Sequence, residues 1–253
     1  MILSKCCSKN IFMTIASEDE IYKIMSMGID KSDRAIITLI LSSGLPSKFI
    51  EEMTYEQLLN ACDNYFKYDE MKTIPNLVKK NPREDNFIAC FDFGKKSKPR
   101  MTCCSPESLQ LIIEYLRYRK NIEIDSEKDY VFLNYRNDPI VDKDHISSIF
   151  RRAREKASRY LPNDESLEIT SDDVRDRFKH ICENRLQGRH RNEILTLMNV
   201  NNSDFDKRFY EYIKDNKFIL IDHYLTVVGY LTLSSSNNQL DRTIGNYTTN
   251  FGF

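Results

Sequence analysis

Residues Thr170 to Leu186 read TSDDVRDRFKHICENRL, and the side chain there with chemistry to offer is Arg175. Thr170 and Asp173 have the spacing of a capping box, and Asp172 and Asp173 suit the positive end of a helix. The acids therefore have a structural reason, whereas an arginine at the mouth of the helix has none of that kind. From Arg175 to Arg191 six cations (Arg175, Arg177, Lys179, Arg185, Arg189, Arg191) stand against two acids, Asp176 and Glu183. A second basic cluster, SSIFRRAREKASRY, contains Arg151 and Arg152, and the turn-like GKKSKP contains Lys95, Lys96 and Lys98. A solvated helix face or a polar turn accounts for any one of these. Basic clusters on both sides of one loop point instead to a phosphate-binding surface, where guanidinium forks and ammonium groups offset negative charge.

Elements must hold those side chains in place, and the chain has the material for them. Its 253 residues are 41% hydrophobic and 30% charged, with a formal net charge of -1. That is enough for one large domain with a substantial core. A near-neutral total does not exclude nucleic acid, because local charge matters more. No apolar run is long enough to span a bilayer, and MILSKCCSKN lacks the apolar core of a secretory signal. The seven cysteines lack framework spacing and the histidines number four, so reduced thiols, a cytoplasmic setting, no metal site and no cofactor are expected.

The local signals predict mostly helix. ASEDEIYKIMSMG opens with a Ser17–Glu20 capping box and stops at Gly28. KSDRAIITLILSSG is apolar on most sides and stops at Gly44, the pattern of a central buried helix. TYEQLLNACDNYFKY begins with a Thr54–Gln57 box. NFIACFDF and RMTCC read as two short strands joined by GKKSKP, the one clear β signal. SPESLQLIIEYLRYRKN is a helix with Ser105 as N-cap and Pro106 in its first turn. DYVFLNYRNDPI reads as extended, and DKDHISSIFRRAREKASRY and NEILTLMNV as helical. FDKRFYEYIKD carries Tyr210 and Tyr212, and KFILIDHYLTVVGYLTL closes the domain. Were that whole stretch one helix, Tyr212 and Tyr224 would lie on neighbouring faces, twelve residues being a little over three turns at about 3.6 residues each. The expected organisation is an N-terminal extension at 1–11, a domain at 12–233 and a polar tail at 234–253.

This order of elements resembles the catalytic domain of the tyrosine recombinase (phage integrase) family, and within it archaeal integrase-like proteins. The resemblance runs over Phe12 to Leu233 and rests on DRAIITLILSSGL, TCCSPESLQLIIEYLRYR, ITSDDVRDRF and YIKDNKFILIDHYLTVVGYLTL. It implies a mainly α fold with a small antiparallel β-hairpin (α+β). It also implies that the protein binds double-stranded DNA and breaks and rejoins it through a 3′-phosphotyrosyl intermediate, alongside itself or another recombinase protomer. Such chemistry needs cations fixed on the nonbridging oxygens, a proton for the leaving 5′ oxygen and a tyrosine helped to ionise.

By resemblance, Arg175 matches the family's second arginine and Lys95 its hairpin lysine, with Lys96 and Lys98 as competitors. Tyr212 matches the nucleophile and Tyr210 is the alternative. For either tyrosine, packing against the core accounts for the residue equally well. Lys48, Lys96, Lys98, Arg151, Arg152, Arg177, Lys179, Arg189 and Arg191 are the expected DNA contacts. The pattern is degenerate. Asp172 stands where the family has a histidine, Pro46 replaces the first arginine, and the later Gly-His element is absent. Proline cannot bind phosphate through its side chain or nitrogen. A relative that binds DNA or an active recombinase without cutting is therefore the alternative. About ten residues precede the first matching element, so an N-terminal DNA-binding domain is expected to be missing or to lie outside this chain.

Overall fold

The computed structural model describes residues 15–26, 29–62, 88–93, 101–119, 129–140, 144–159, 167–187 and 207–233. Its first four helices are α1 (Glu18–Ser26), α2 (Lys31–Ser43), α3 (Ser47–Glu51) and α4 (Tyr55–Ala61). An antiparallel hairpin follows, β1 (Ala89–Asp92) and β2 (Met101–Cys104), then α5 (Pro106–Tyr118), α6 (His145–Ser158) and α7 (Ser171–Arg185). The described chain closes with α8 (Lys207–Asp215), α9 (Lys217–Leu225) and a 3-10 turn at Val228–Tyr230.

Local chemistry sets the starts of α1, α4, α5 and α7 where the sequence predicts them, whereas α4 stops at Ala61, short of the predicted length, and the predicted stop at Gly28 lies outside the described residues. Ser17 and Glu20 bond reciprocally, the Ser17 amide reaching the Glu20 carboxylate at 2.8 Å. Thr54 with Gln57 and Thr170 with Asp173 form complete capping boxes, and Ser105 accepts from the amide of Ser108. Each device satisfies amides that a helix start leaves without partners. α2 ends in a left-handed Gly44 (φ 63°), whose amide returns to the Ile40 carbonyl at 2.9 Å.

α2 is buried along nearly its whole length and packs against α5, α7 and β2, which makes it the axis of the domain. The hairpin separates two apolar clusters. Its register pairs Ala89 with Cys104, Cys90 with Cys103, Phe91 with Thr102 and Asp92 with Met101. Successive strand residues point to opposite faces. Ala89, Phe91, Phe93 and Cys104 therefore join the main core around α2, while Ile88, Cys90, Met101 and Cys103 join a second cluster with Phe178, Cys182, Tyr210, Ile213, Leu220 and Tyr224. Two strands alone are marginal in water, and here burial on both faces stabilises them.

DYVFLNYRNDPI forms isolated bridges, Thr54 with Tyr130 and Leu133 with Pro139, instead of a strand. The C-terminal stretch is not one helix. Asn216 (φ -125°, ψ 45°) separates α8 from α9, so the helical phase is reset between Tyr212 and Tyr224. Tyr224 is fully buried and Tyr212 is 51% exposed, and the neighbouring-face expectation does not hold. NEILTLMNV, the GKKSKP turn and the tail from Ser234 lie outside the described residues. No helix among the described residues is long and apolar enough to cross a membrane.

Candidate functional site

The last carbonyls of α2 have no partners within their own helix. Three other elements supply donors to consecutive ones. The Tyr224 hydroxyl of α9 donates to the Ser42 carbonyl at 2.7 Å, Thr102 Oγ1 of β2 to that of Ser43 at 2.8 Å, and Arg175 Nε of α7 to that of Gly44 at 3.4 Å. Phe178, one turn beyond Arg175, covers Gly44 so closely that a Cβ there would lie 2.3 Å from the ring. The turn from Ser42 to Pro46 is thus where hairpin, α7 and C-terminal helices meet, and Pro46 caps α3 directly after it.

Arg175 stands at the edge of this junction with its side chain 21% exposed, and its Nη1 also donates to Asp172 Oδ1 at 2.8 Å. Asp172 is mostly exposed, so this ion pair sits at the surface, not in the core. The capping box positions both residues: Asp173 turns back to Thr170, which leaves Asp172 and Arg175 one helical turn apart on the same side.

The two tyrosines differ because residues two apart on a helix face nearly opposite ways. Tyr210 is buried, and its hydroxyl donates to Asp92 at the end of β1. Burial first, and then the Asp92 carboxylate, push this phenol's pKa up. Lys214, a turn further along α8, lies 3.9 Å from the same carboxylate. Tyr212 is half exposed, and its backbone carbonyl accepts from the Asn216 side chain at 2.7 Å. Sequence reasoning missed Asp92. The available signal was strand alternation, which sets it on the same face as Cys90, toward the C-terminal helices.

The expected basic contacts are largely ion-paired where the structure describes them. Arg152 Nη2 meets both oxygens of the largely buried Asp33 at 3.1 Å. Burial pushes the Asp33 pKa up, and Arg152 opposes that shift. Arg177 donates to the Ala16 carbonyl at 3.3 Å and pairs with Glu18 at 3.5 Å, so it fastens α1 to α7. Lys179 pairs with Asp176 at 2.5 Å and Lys48 with Glu52 at 3.8 Å. Arg151 is exposed. Lys95, Lys96, Lys98, Arg189 and Arg191 lie outside the described residues. Within α7 the acids Asp172, Asp173, Asp176 and Glu183 balance Arg175, Arg177, Lys179 and Arg185, so that helix alone carries no excess of positive charge.

Cys62, Cys90, Cys103, Cys104 and Cys182 are free and buried. Burial raises the thiol pKa of Cys62, Cys103, Cys104 and Cys182, that of Cys182 to about 12, which keeps these groups protonated and poorly nucleophilic. Among the described residues no group of three or more His, Cys, Asp or Glu is placed to hold a metal ion.

No protein-family model matches the chain, and no curated protein matches it. Solved structures do. XerA recombinase is 16% identical with a TM-score of 0.50, over 80% of this chain and 64% of that one. XerH site-specific recombinase, bound to palindromic difH substrate in a post-cleavage complex, is 14% identical with a TM-score of 0.48, over 80% of this chain and 52% of that one. The chain thus spans less than two thirds of the length of either structure. At such identity the likeness is one of fold: the chain is mainly α with a small antiparallel hairpin, a fold like that of the matched part of XerA recombinase and in keeping with the expected tyrosine-recombinase-like class.

Proposed function

We propose that the protein binds duplex DNA and breaks and rejoins it through a 3′-phosphotyrosyl link, with Tyr212 as nucleophile and Arg175 as the phosphate-binding cation. The observation that carries this reading is the division of roles between the two tyrosines. Tyr210 is committed to Asp92 with its phenol pKa raised, whereas Tyr212 is half exposed on the same helix. In the proposed reaction the Tyr212 phenol gives up its proton to solvent, its oxygen attacks phosphorus, the bond to the 5′ oxygen breaks, and that oxygen takes a proton from Lys95, which lies between the two strands in sequence. The reverse attack by a 5′ hydroxyl releases the tyrosine, so no external energy source is consumed. Arg175 offsets charge on the nonbridging oxygens as it develops. Action inside the cell beside a second protomer, in the integration of a mobile element, is the setting that the archaeal integrase resemblance suggests.

A nicked duplex, from which the strand beyond the nick diffuses away after attack, tests this directly. Covalent attachment that survives denaturation and disappears in Tyr212→Phe is expected. Attachment that persists in Tyr212→Phe and disappears in Tyr210→Phe would move the nucleophile two residues upstream.

A second reading has its own observation. The Asp172 carboxylate lies 2.8 Å from Arg175, where it repels a phosphate and occupies the guanidinium, and Pro46 supplies no cation. On this reading the chain binds DNA, or an active recombinase, without cutting. Retarded duplexes with no covalent product on any nicked substrate would select it.

A further inference from the structure

The segment between Leu133 and Pro139 is a rigid projection. Its base is anchored: Val131 and Phe132 are buried, the Phe132 ring stacks on Tyr115 at 5.5 Å, and Arg119 donates to the carbonyls of Tyr130 and Val131. Its tip is held by its own backbone. The Asn134 amide donates to the Asp138 carbonyl at 2.9 Å and the Asn137 amide to the Asn134 carbonyl at 3.0 Å. Asn134 Oδ1 accepts from the amides of Arg136 and Asp138 at 2.8 and 3.1 Å. Asn137 takes the left-handed conformation (φ 67°), which asparagine tolerates better than most residues.

At the apex Tyr135 is 85% exposed, and the Arg136 guanidinium lies 5.2 Å from its ring centroid. No core contact accounts for an aromatic ring so exposed, and the order of the turn removes much of the entropy cost of using it. We propose that this Tyr135–Arg136 tip is a groove contact for duplex DNA. The proposal rests on the reading of the chain as a DNA-binding protein and adds a contact element separate from Arg175 and the tyrosines of α8. A flat ring backed by a cation suits the edge of a sugar or base beside phosphates, since the guanidinium answers the negative potential of a groove while the ring packs or stacks. Two side chains on a narrow turn cover far less surface than a standard protein interface, which needs about 800 Å² on each partner. The next described element in sequence, α6, carries Arg151, Arg154 and Lys156 against Glu155, Arg152 being taken up by Asp33, and this positive balance favours an anionic partner such as DNA. The Asp138 carboxylate belongs to the same turn and opposes this balance.

The chain contains no tryptophan, so Tyr135→Trp places a single indole at the tip, and red-edge excitation separates its emission from that of the tyrosines. Titration with a fluorescein-labelled duplex of mixed sequence at low salt should quench that tryptophan over the concentration range in which the duplex anisotropy rises. Tyr135→Ala and Arg136→Ala should each bind roughly tenfold more weakly, the scale of losing one aromatic–base contact, with circular dichroism unchanged because both side chains are in solvent. Rising anisotropy with an unresponsive tryptophan and wild-type affinity in both alanine variants would overturn the tip contact and leave the DNA reading standing. Absence of any anisotropy change for the unmodified chain would overturn the DNA reading and the tip contact together. A tryptophan signal that follows protein concentration without DNA would overturn the assignment in favour of a contact between copies of the chain.

Discussion

The Tyr210 hydroxyl of α8 donates to the Asp92 carboxylate of β1, 118 positions away in sequence, and so ties the C-terminal helices to the edge of the hairpin. Removing that hydroxyl costs folding. Tyr210→Phe should lower stability by ~1–2 kcal/mol, since a mostly buried carboxylate loses a donor, while Tyr212→Phe at a half-exposed position should stay within ~0.5 kcal/mol of wild type. Urea unfolding of the two variants side by side checks this, and equal losses would contradict the assigned roles.

The raised phenols and thiols make stability fall in alkali. Tyr55 is pushed by burial from an ordinary 10.0 to about 12, Cys182 from 9.0 to about 12, and Tyr210 also upward. A group whose folded pKa is raised stabilises fully below its unfolded pKa, and that contribution is lost as pH climbs toward the folded value. The urea midpoint should therefore decline from about pH 9 and continue to fall toward pH 12, with a shallower slope in Tyr210→Phe. A midpoint that stayed flat across that window would contradict it.

Gly44 is the position where a methyl group does most harm. A left-handed φ of 63° and a Cβ placed 2.3 Å from Phe178 act together. Gly44→Ala should cost ~2–4 kcal/mol from strain and overpacking combined. Adding Phe178→Leu should recover part of the loss by relieving the clash but not the backbone strain. Full recovery would mean that the conformation of Gly44 contributes nothing.

Arg152 serves Asp33 before it serves any ligand. Arg152→Met should destabilise the fold by ~1–3 kcal/mol, because the largely buried carboxylate of Asp33 is left without its cation. Pairing it with Asp33→Asn should restore most of that. Arg151→Ala, at an exposed neighbouring position, should leave unfolding unchanged. A double variant no more stable than Arg152→Met would argue that the pair is not the source of the loss.

Asp172 governs how available Arg175 is. Asp172→Asn removes a negative charge beside the guanidinium, and duplex affinity should rise several-fold at low salt. Wild-type binding should be micromolar or weaker at physiological salt, in the range ~10⁻⁴–10⁻⁶ M of nonspecific complexes, and should fall steeply as salt rises. Anisotropy titrations over a salt series measure both. Weaker binding by Asp172→Asn would mean that the carboxylate orients Arg175 for its ligand and does not compete with it.

The sequence by itself determined where four of the helices begin and where α2 ends, although α4 stops at Ala61, short of the helix read through TYEQLLNACDNYFKY. Ser17 with Glu20, Thr54 with Gln57, Ser105 and Thr170 with Asp173 cap the helices they announce, and Gly44 closes α2. The two strands of the hairpin also fall where aromatic and apolar residues cluster between turn signals. These features are legible because each is decided within about one helical turn or strand pair, by residues three or four apart. Tertiary structure alone decided the rest. The donors from Tyr224, Thr102 and Arg175 meet the end of α2 across separations of 182, 59 and 131 residues, and Asp33 meets Arg152 across 119. No periodicity encodes such pairs, because they follow from how α7, the hairpin and α9 pack on α2. Nor did local pattern foresee the break at Asn216, which turns Tyr224 into the core and leaves Tyr212 in solvent, since an amphipathic repeat reads the same on either side of a single turn.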